Sequence, residues 1–81
     1  MMVQVEVMSK NQCPLCVEAI AELRNLQNEI EFEIKVTDIY QDDALLEKYQ
    51  LMIPVVLVGG KEVGYGHISA LDVREAIKKL K

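Results

Sequence analysis

Val3, Val5 and Val7 alternate with Gln4 and Glu6, a period of two that predicts a strand with one better-buried face. The period then changes. From Pro14 to Gln27 the apolar positions Cys16, Ala19, Ile20, Leu23 and Leu26 recur at helical spacing, one stripe of an amphipathic helix. Phe32, Ile34 and Val36 alternate with Glu31, Glu33 and Lys35, which predicts a second strand, at a sheet edge. Asp42 and Asp43 open a short helix whose inner side is Leu45, Leu46 and Tyr49, the carboxylates suiting the positive end of its dipole. Pro54-Val55-Val56-Leu57-Val58 is continuously apolar and β-branched, as a strand buried on both faces requires. Gly59-Gly60 ends it, and Lys61 to Tyr65 reads as the return strand of a hairpin. Ser69 with Asp72 three residues on resembles a capping box. A last helix then buries Val73, Ala76, Ile77 and Leu80 and ends in Lys78, Lys79 and Lys81.

The order is β-α-β-α-β-β-α. A right-handed crossover makes the first two strands parallel, and the hairpin adds an antiparallel edge. Connections are short, without linker or repeat, so residues 1–81 are expected to form one α/β domain.

Composition narrows the function classes. With 51% hydrophobic and 27% charged residues the chain has a soluble globular balance. Its net charge of −4 argues against nucleic acid and anionic membrane as partners, both of which call for clustered Lys and Arg. Met1-Met2-Val3 leads straight into the first strand pattern, without the basic and apolar regions of a signal peptide. A secreted disulfide scaffold would carry more than 2 cysteines, and scattered ones. A cytoplasmic protein is expected.

Both cysteines fall in Ser9-Lys10-Asn11-Gln12-Cys13-Pro14-Leu15-Cys16. Residues three apart on a helix share a face, with β-carbons roughly 5–6 Å apart. A small rotamer change brings their sulfurs into bonding range, so the pair can cycle between dithiol and disulfide with little backbone movement. Pro14 fits the first helical position, which puts Cys13 at the N-cap, facing the free N–H groups and positive end of the helix. That environment favours thiolate, and Lys10 adds a cation on the approaching loop. Lowering a thiol pKa from about 8.5 to about 7 raises the thiolate fraction at pH 7 from roughly 3% to roughly 50%. Cys13 is therefore expected to attack. Cys16, one turn inside on the apolar stripe, is expected to be shielded and to act second. The plainer alternative is a packing cysteine beside a chance surface one.

A closed zinc site needs four protein ligands, and only Cys13, Cys16 and His67 are good nitrogen or sulfur donors. No metal site within one chain is expected; a zinc or iron–sulfur cluster shared between two chains through Cys13 is an alternative. His67 reads as a loop residue before the last helix. Ile53-Pro54 stands where a buried strand begins, at a position that needs no ladder N–H. Both a tight turn with a cis bond and an ordinary trans proline fit it.

Ser9-Lys10-x-x-Cys13-Pro14-x-Cys16, Ile53-Pro54 before an apolar strand, and Gly59-Gly60-Lys61 together resemble the glutaredoxin branch of the thioredoxin fold, in element order as well as motif. The resemblance implies a glutaredoxin-type, thioredoxin-like fold: a four-stranded mixed sheet flanked by three helices. It implies a small thiol-disulfide oxidoreductase reducing protein disulfides or glutathione-mixed disulfides, with Cys13 as nucleophile and Cys16 as resolving thiol. Lys10 would tune the thiol or meet a glutathione carboxylate. Pro54 would be cis, with Ile53 pairing main chain to main chain with substrate. Pro14, Leu15, Met52 and Tyr65 would complete the substrate contacts. No bound cofactor is implied; electrons would come from glutathione or from a thioredoxin-reductase-type flavoprotein. The chain is expected to act as a monomer, and a non-catalytic partner protein on the same fold is a further alternative.

Leu15 stands where typical glutaredoxins have Tyr, and Met52-Ile53-Pro54 where they have Thr-Val-Pro. Gly64-Tyr65-Gly66-His67-Ile68-Ser69 lacks the acidic residue that usually meets the glutathione amine. These departures resemble the looser group of short glutaredoxin-like proteins, some of which take electrons from thioredoxin reductase.

Overall fold

The computed structural model describes residues 3–80. Strand β1 (Val3–Ser9) leads through a four-residue loop into helix α1 (Pro14–Leu26). Strand β2 (Phe32–Asp38), a single 3-10 turn (Ile39–Gln41) and helix α2 (Asp43–Tyr49) follow. The chain closes with β3 (Val55–Val58), β4 (Lys61–Tyr65) and α3 (Ala70–Leu80).

The strands lie in the order β2-β1-β3-β4. β1 pairs parallel with β2, from Val3↔Phe32 to Ser9↔Asp38. It pairs antiparallel with β3, from Val5↔Val58 to Met8↔Val55. The β3–β4 hairpin turns at Gly59 and Gly60, both at positive φ (59 and 86). That is the backbone a two-residue turn needs to follow the strand twist, and side chains there would be strained. The later residues of β4 pair with β3 through a register shift between Val56 and Leu57.

Helices α1 and α3 cover one face of the sheet and α2 the other. On the first face Val5, Val7, Ala19, Leu23, Phe32, Val56, Val73 and Ile77 are among the buried members of the larger core. The opposite face carries a smaller one, in which Met8, Ile39, Tyr49, Val55 and Leu57 are buried and Met52 and Ile53 pack against them. Every residue of β3 is buried, as its unbroken apolar run required.

Some expectations needed correction. β1 has one better-buried face only at its start: Met8 and Ser9 are buried next to Val7, because β1 is central and α2 covers its far end. The 3-10 turn has no counterpart in the hydrophobic pattern, although it inserts a fully buried Ile39; the Asp38 carboxylate accepts the Tyr40 N–H at 2.9 Å and caps it. Leu80 was expected in the core but is 56% exposed. It lies in the last turn of α3 over the Gly59 corner, where a β-carbon added to Gly59 would come within 2.8 Å of it.

Candidate active site

Two facts of register gather the site. Met8, near the end of β1, pairs with Val55 at the start of β3, and Val55 pairs with Tyr65 at the end of β4. The loop holding Lys10, the Ile53-Pro54 turn and the Tyr65-Gly66 turn therefore leave the sheet at the same end. Chain reversal from β1 into α1 passes through Gln12 at φ 56, a left-handed conformation that costs a non-glycine residue roughly 1–2 kcal/mol.

Cys13 follows as the N-cap of α1, in extended conformation, with Pro14 opening the helix. Its sulfur accepts the backbone N–H of Cys16 at 3.2 Å, as a capping side chain does. The two Cα atoms are 5.2 Å apart and the sulfurs are joined in a disulfide. Cys13 is 7% exposed and Cys16 2%, so both sulfurs are nearly covered in the oxidised pair, Cys16 the more deeply. Pro14 and Leu15 between them are exposed, and Lys10 is exposed on the loop before them.

The Ile53-Pro54 bond is cis. Pro54 is fully buried, and its carbonyl accepts the Gly66 N–H at 2.8 Å, tying the turn to the segment before α3. Ile53 stands outside the β3 ladder, which begins at Val55. Half-buried Met52 and Ile53 lie on the smaller core. Leu51, one residue earlier, is 94% exposed. Tyr65, 63% exposed, lines a cavity of about 220 Å³ with His67, Ser69 and Asp72. A smaller recess joins Leu15, Glu18 and Glu22 of α1 to Gly66 and His67.

The sequence sets Gly66 and His67 in the segment that family resemblance aligns with the glutathione amine but gives them no role there, and it marks Asp72 only as a helix-capping residue. The signal for Gly66 is its residue type just past the return strand: its φ of 71 favours a residue free of a β-carbon. His67 and Asp72 gave none, because the cavity forms only when the β4–α3 corner folds over Val63 and Val73. Among the described residues no three His, Cys, Asp or Glu side chains converge as a metal site. No helix of the described chain is long and apolar enough to cross a membrane.

Residues 4–78 match the family model of the glutaredoxin-like domain (DUF836). The chain belongs to that family. Similar solved structures carry the same fold. Protein Ne2328 from Nitrosomonas europaea is 26% identical, with a TM-score of 0.85 over 95% of this chain and 93% of that one. Thioredoxin from Fasciola hepatica is 25% identical, with a TM-score of 0.67 over 99% and 82%. A thioredoxin-like protein from Clostridium perfringens is 22% identical, with a TM-score of 0.73 over 98% and 71%. No curated protein matches the sequence. This glutaredoxin-like chain thus has the thioredoxin-like fold, and its Cys13–Cys16 pair at a helix start is consistent with a redox function.

Proposed function

We propose that this glutaredoxin-like protein is a dithiol reductant of protein disulfides and glutathione-mixed disulfides. One observation carries the reading: Cys13 and Cys16 meet as a disulfide at the N-terminus of α1, with Cys13 capping the helix. In the reduced protein the Cys13 thiolate attacks one sulfur of the substrate disulfide. A mixed disulfide forms, and the other substrate sulfur leaves as thiolate. Cys16 then gives up its proton and attacks the Cys13 sulfur, closing the internal disulfide and releasing the second substrate thiolate. The substrate gains two electrons, and two more restore the pair, from two glutathione thiols that leave as glutathione disulfide or from the dithiol of a reductase.

Lys10 supplies positive charge near the Cys13 sulfur. An extended substrate segment pairs its backbone with Ile53, beside Pro14, Leu15 and Met52, in the manner of strand addition. Tyr65 bounds the other side. For the donor, the observation that bears on the choice is the cavity beside Tyr65, where the Ser69 hydroxyl and Asp72 carboxylate suit an ammonium group. That favours glutathione over a flavoprotein reductase.

The test is a coupled assay on a protein disulfide, run once with glutathione and glutathione reductase and once with NADPH and thioredoxin reductase. Turnover in either arm, lost in Cys13→Ser, supports the oxidoreductase. Turnover in the glutathione arm, with a raised KM for glutathione in Asp72→Asn, supports that donor. No turnover in both arms sinks the proposed activity.

A further inference from the structure

The free edge at β2 carries a pattern that the redox site does not use. β2 ends the sheet on one side, so the outward N–H and C=O groups of Phe32–Asp38 meet no strand of this chain. Such an edge is a template for another strand unless it is blunted. Its central run, Phe32-Glu33-Ile34-Lys35-Val36, is chemically symmetric about Ile34. If a second β2 lies antiparallel with Ile34 opposite Ile34, each Glu33 stands opposite the copy's Lys35, and each Phe32 opposite the copy's Val36. Two opposite-charge pairs then form on one side of the joined sheet, and on the other two Phe32–Val36 pairs flank the central Ile34–Ile34 pair. Glu33 and Lys35 are both exposed, and among the described residues neither is in an ion pair.

Helix α1 supplies the second, independent observation. Phe32 and Ile34 belong to the larger core under α1 and α3, so Val36, two residues on, is on that same side of the sheet. It is 48% exposed. On α1 itself Val17 is 67% exposed and, with Ile20, Ala21 and Arg24, lines a shallow open groove of about 340 Å³. Uncovered apolar surface on the helix thus accompanies uncovered apolar surface on the strand edge, on one side of the sheet.

We infer that the β2 edge and the outer face of α1 form a self-association surface, whose partner is a second copy of this chain. The two β2 strands join antiparallel about a twofold axis at Ile34, making one eight-stranded sheet, and the two α1 helices close over the seam. This takes the place of the monomer expected from the sequence. A seven-residue strand spans only about 23 Å, so the interface is at the small end and the dimer dissociates on dilution. Because the paired strands run oppositely, the two cysteine pairs point to opposite ends of the dimer and both stay free.

Sedimentation velocity with reductant present, from about 1 µM to 1 mM, reads the association. Wild type is expected to shift from monomer to dimer across this range. Glu33→Lys sets Lys against Lys35 at both symmetric pairs, and Lys35→Glu sets Glu against Glu33; each is expected to weaken association roughly tenfold or more. The double variant Glu33→Lys/Lys35→Glu restores both pairs and is expected to return association to near wild type. Lys35→Glu also places a carboxylate beside Glu6, its in-register neighbour on β1. Far-UV circular dichroism therefore checks that each variant is folded, and Glu33→Lys, beside neutral Gln4, carries the comparison if Lys35→Glu is not. In that case Val17→Lys replaces the double variant and must also weaken association. Wild type that is monomeric at every concentration overturns the proposal and leaves this edge to a different chain. Association that ignores Glu33→Lys, or a folded double variant as weak as the single ones, also overturns it.

Discussion

At the scale of single residues, Cys13 and Cys16 are set apart by where each falls on one helix turn. Cys13 caps the helix and holds the Cys16 N–H; Cys16 lies on the buried stripe with Ala19 and Leu23. Under the dithiol mechanism, Cys16→Ser keeps the attack and loses the release. It is expected to accumulate a mixed disulfide at Cys13, seen as the mass of the bound thiol on that residue. Wild-type turnover of a protein disulfide by Cys16→Ser would refute the mechanism. Under the same mechanism Lys10 would act through charge alone. Replacing it by Glu disfavours the neighbouring thiolate, so the pH midpoint for iodoacetamide labelling of reduced Cys13 is expected to rise. At an exposed loop the change should be modest and should shrink with added salt, since the Debye length is about 10 Å at 0.1 M. An unchanged midpoint at low salt would remove Lys10 from the mechanism. The cysteine pair at the helix start and the turn at Pro54 were legible in the sequence because each is a local motif. The cavity that His67 and Asp72 line was not, since it depends on the fold of the β4–α3 corner.

Among the elements, α1 does two unlike jobs, and its residues separate them. Leu23 is fully exposed to nothing but the larger core, at 0% accessibility, whereas Leu15 at the helix start is 46% exposed beside the cysteines. Leu23→Ala is expected to cost about 2–5 kcal/mol in a denaturant titration, from lost transfer energy and the cavity left behind. Leu15→Ala should stay within about 0.5 kcal/mol of wild type in the same titration, as surface changes do. Under the proposed function its effect is expected on the KM for a disulfide substrate instead. Equal loss of stability from both would show that the start of α1 is part of the core. Legibility varied by element for a physical reason. The strands of period two and the stripe of α1 declare their buried faces from their own residues. Full burial of Met8 and Ser9, the Ile39 turn and the exposure of Leu80 depend on which element ends up across from them, and no local pattern carries that.

For the whole molecule, the sheet divides two cores of unequal size. The larger holds α1 and α3 against β1, β2 and β3; the smaller holds only α2 and its 3-10 turn, through Met8, Ile39, Tyr49, Val55 and Leu57. Beyond apolar contact, α2 is tied to β4 by the Tyr49 hydroxyl, which donates to the Glu62 carboxylate at 3.1 Å, and by a partly exposed Lys48–Glu62 ion pair at 3.8 Å. Exposed pairs of that kind are worth about 0–1 kcal/mol. Fewer buried contacts mean a lower free energy of local opening. Amide hydrogens in α2 are therefore expected to exchange with deuterium faster than those in the middle of α1, under conditions where the molecule as a whole stays folded. Equal protection of the two helices would contradict the unequal division. The consequence falls on the site, because its two walls hang from different cores. The cysteines are carried by α1 and the larger core, while Met52 and Ile53 rest on the smaller one, which is expected to open more readily. Under the proposed function, electron exchange would be anchored in stiff ground and the receiving wall in yielding ground, an arrangement that would let one fixed pair of sulfurs meet disulfides set in unlike surroundings.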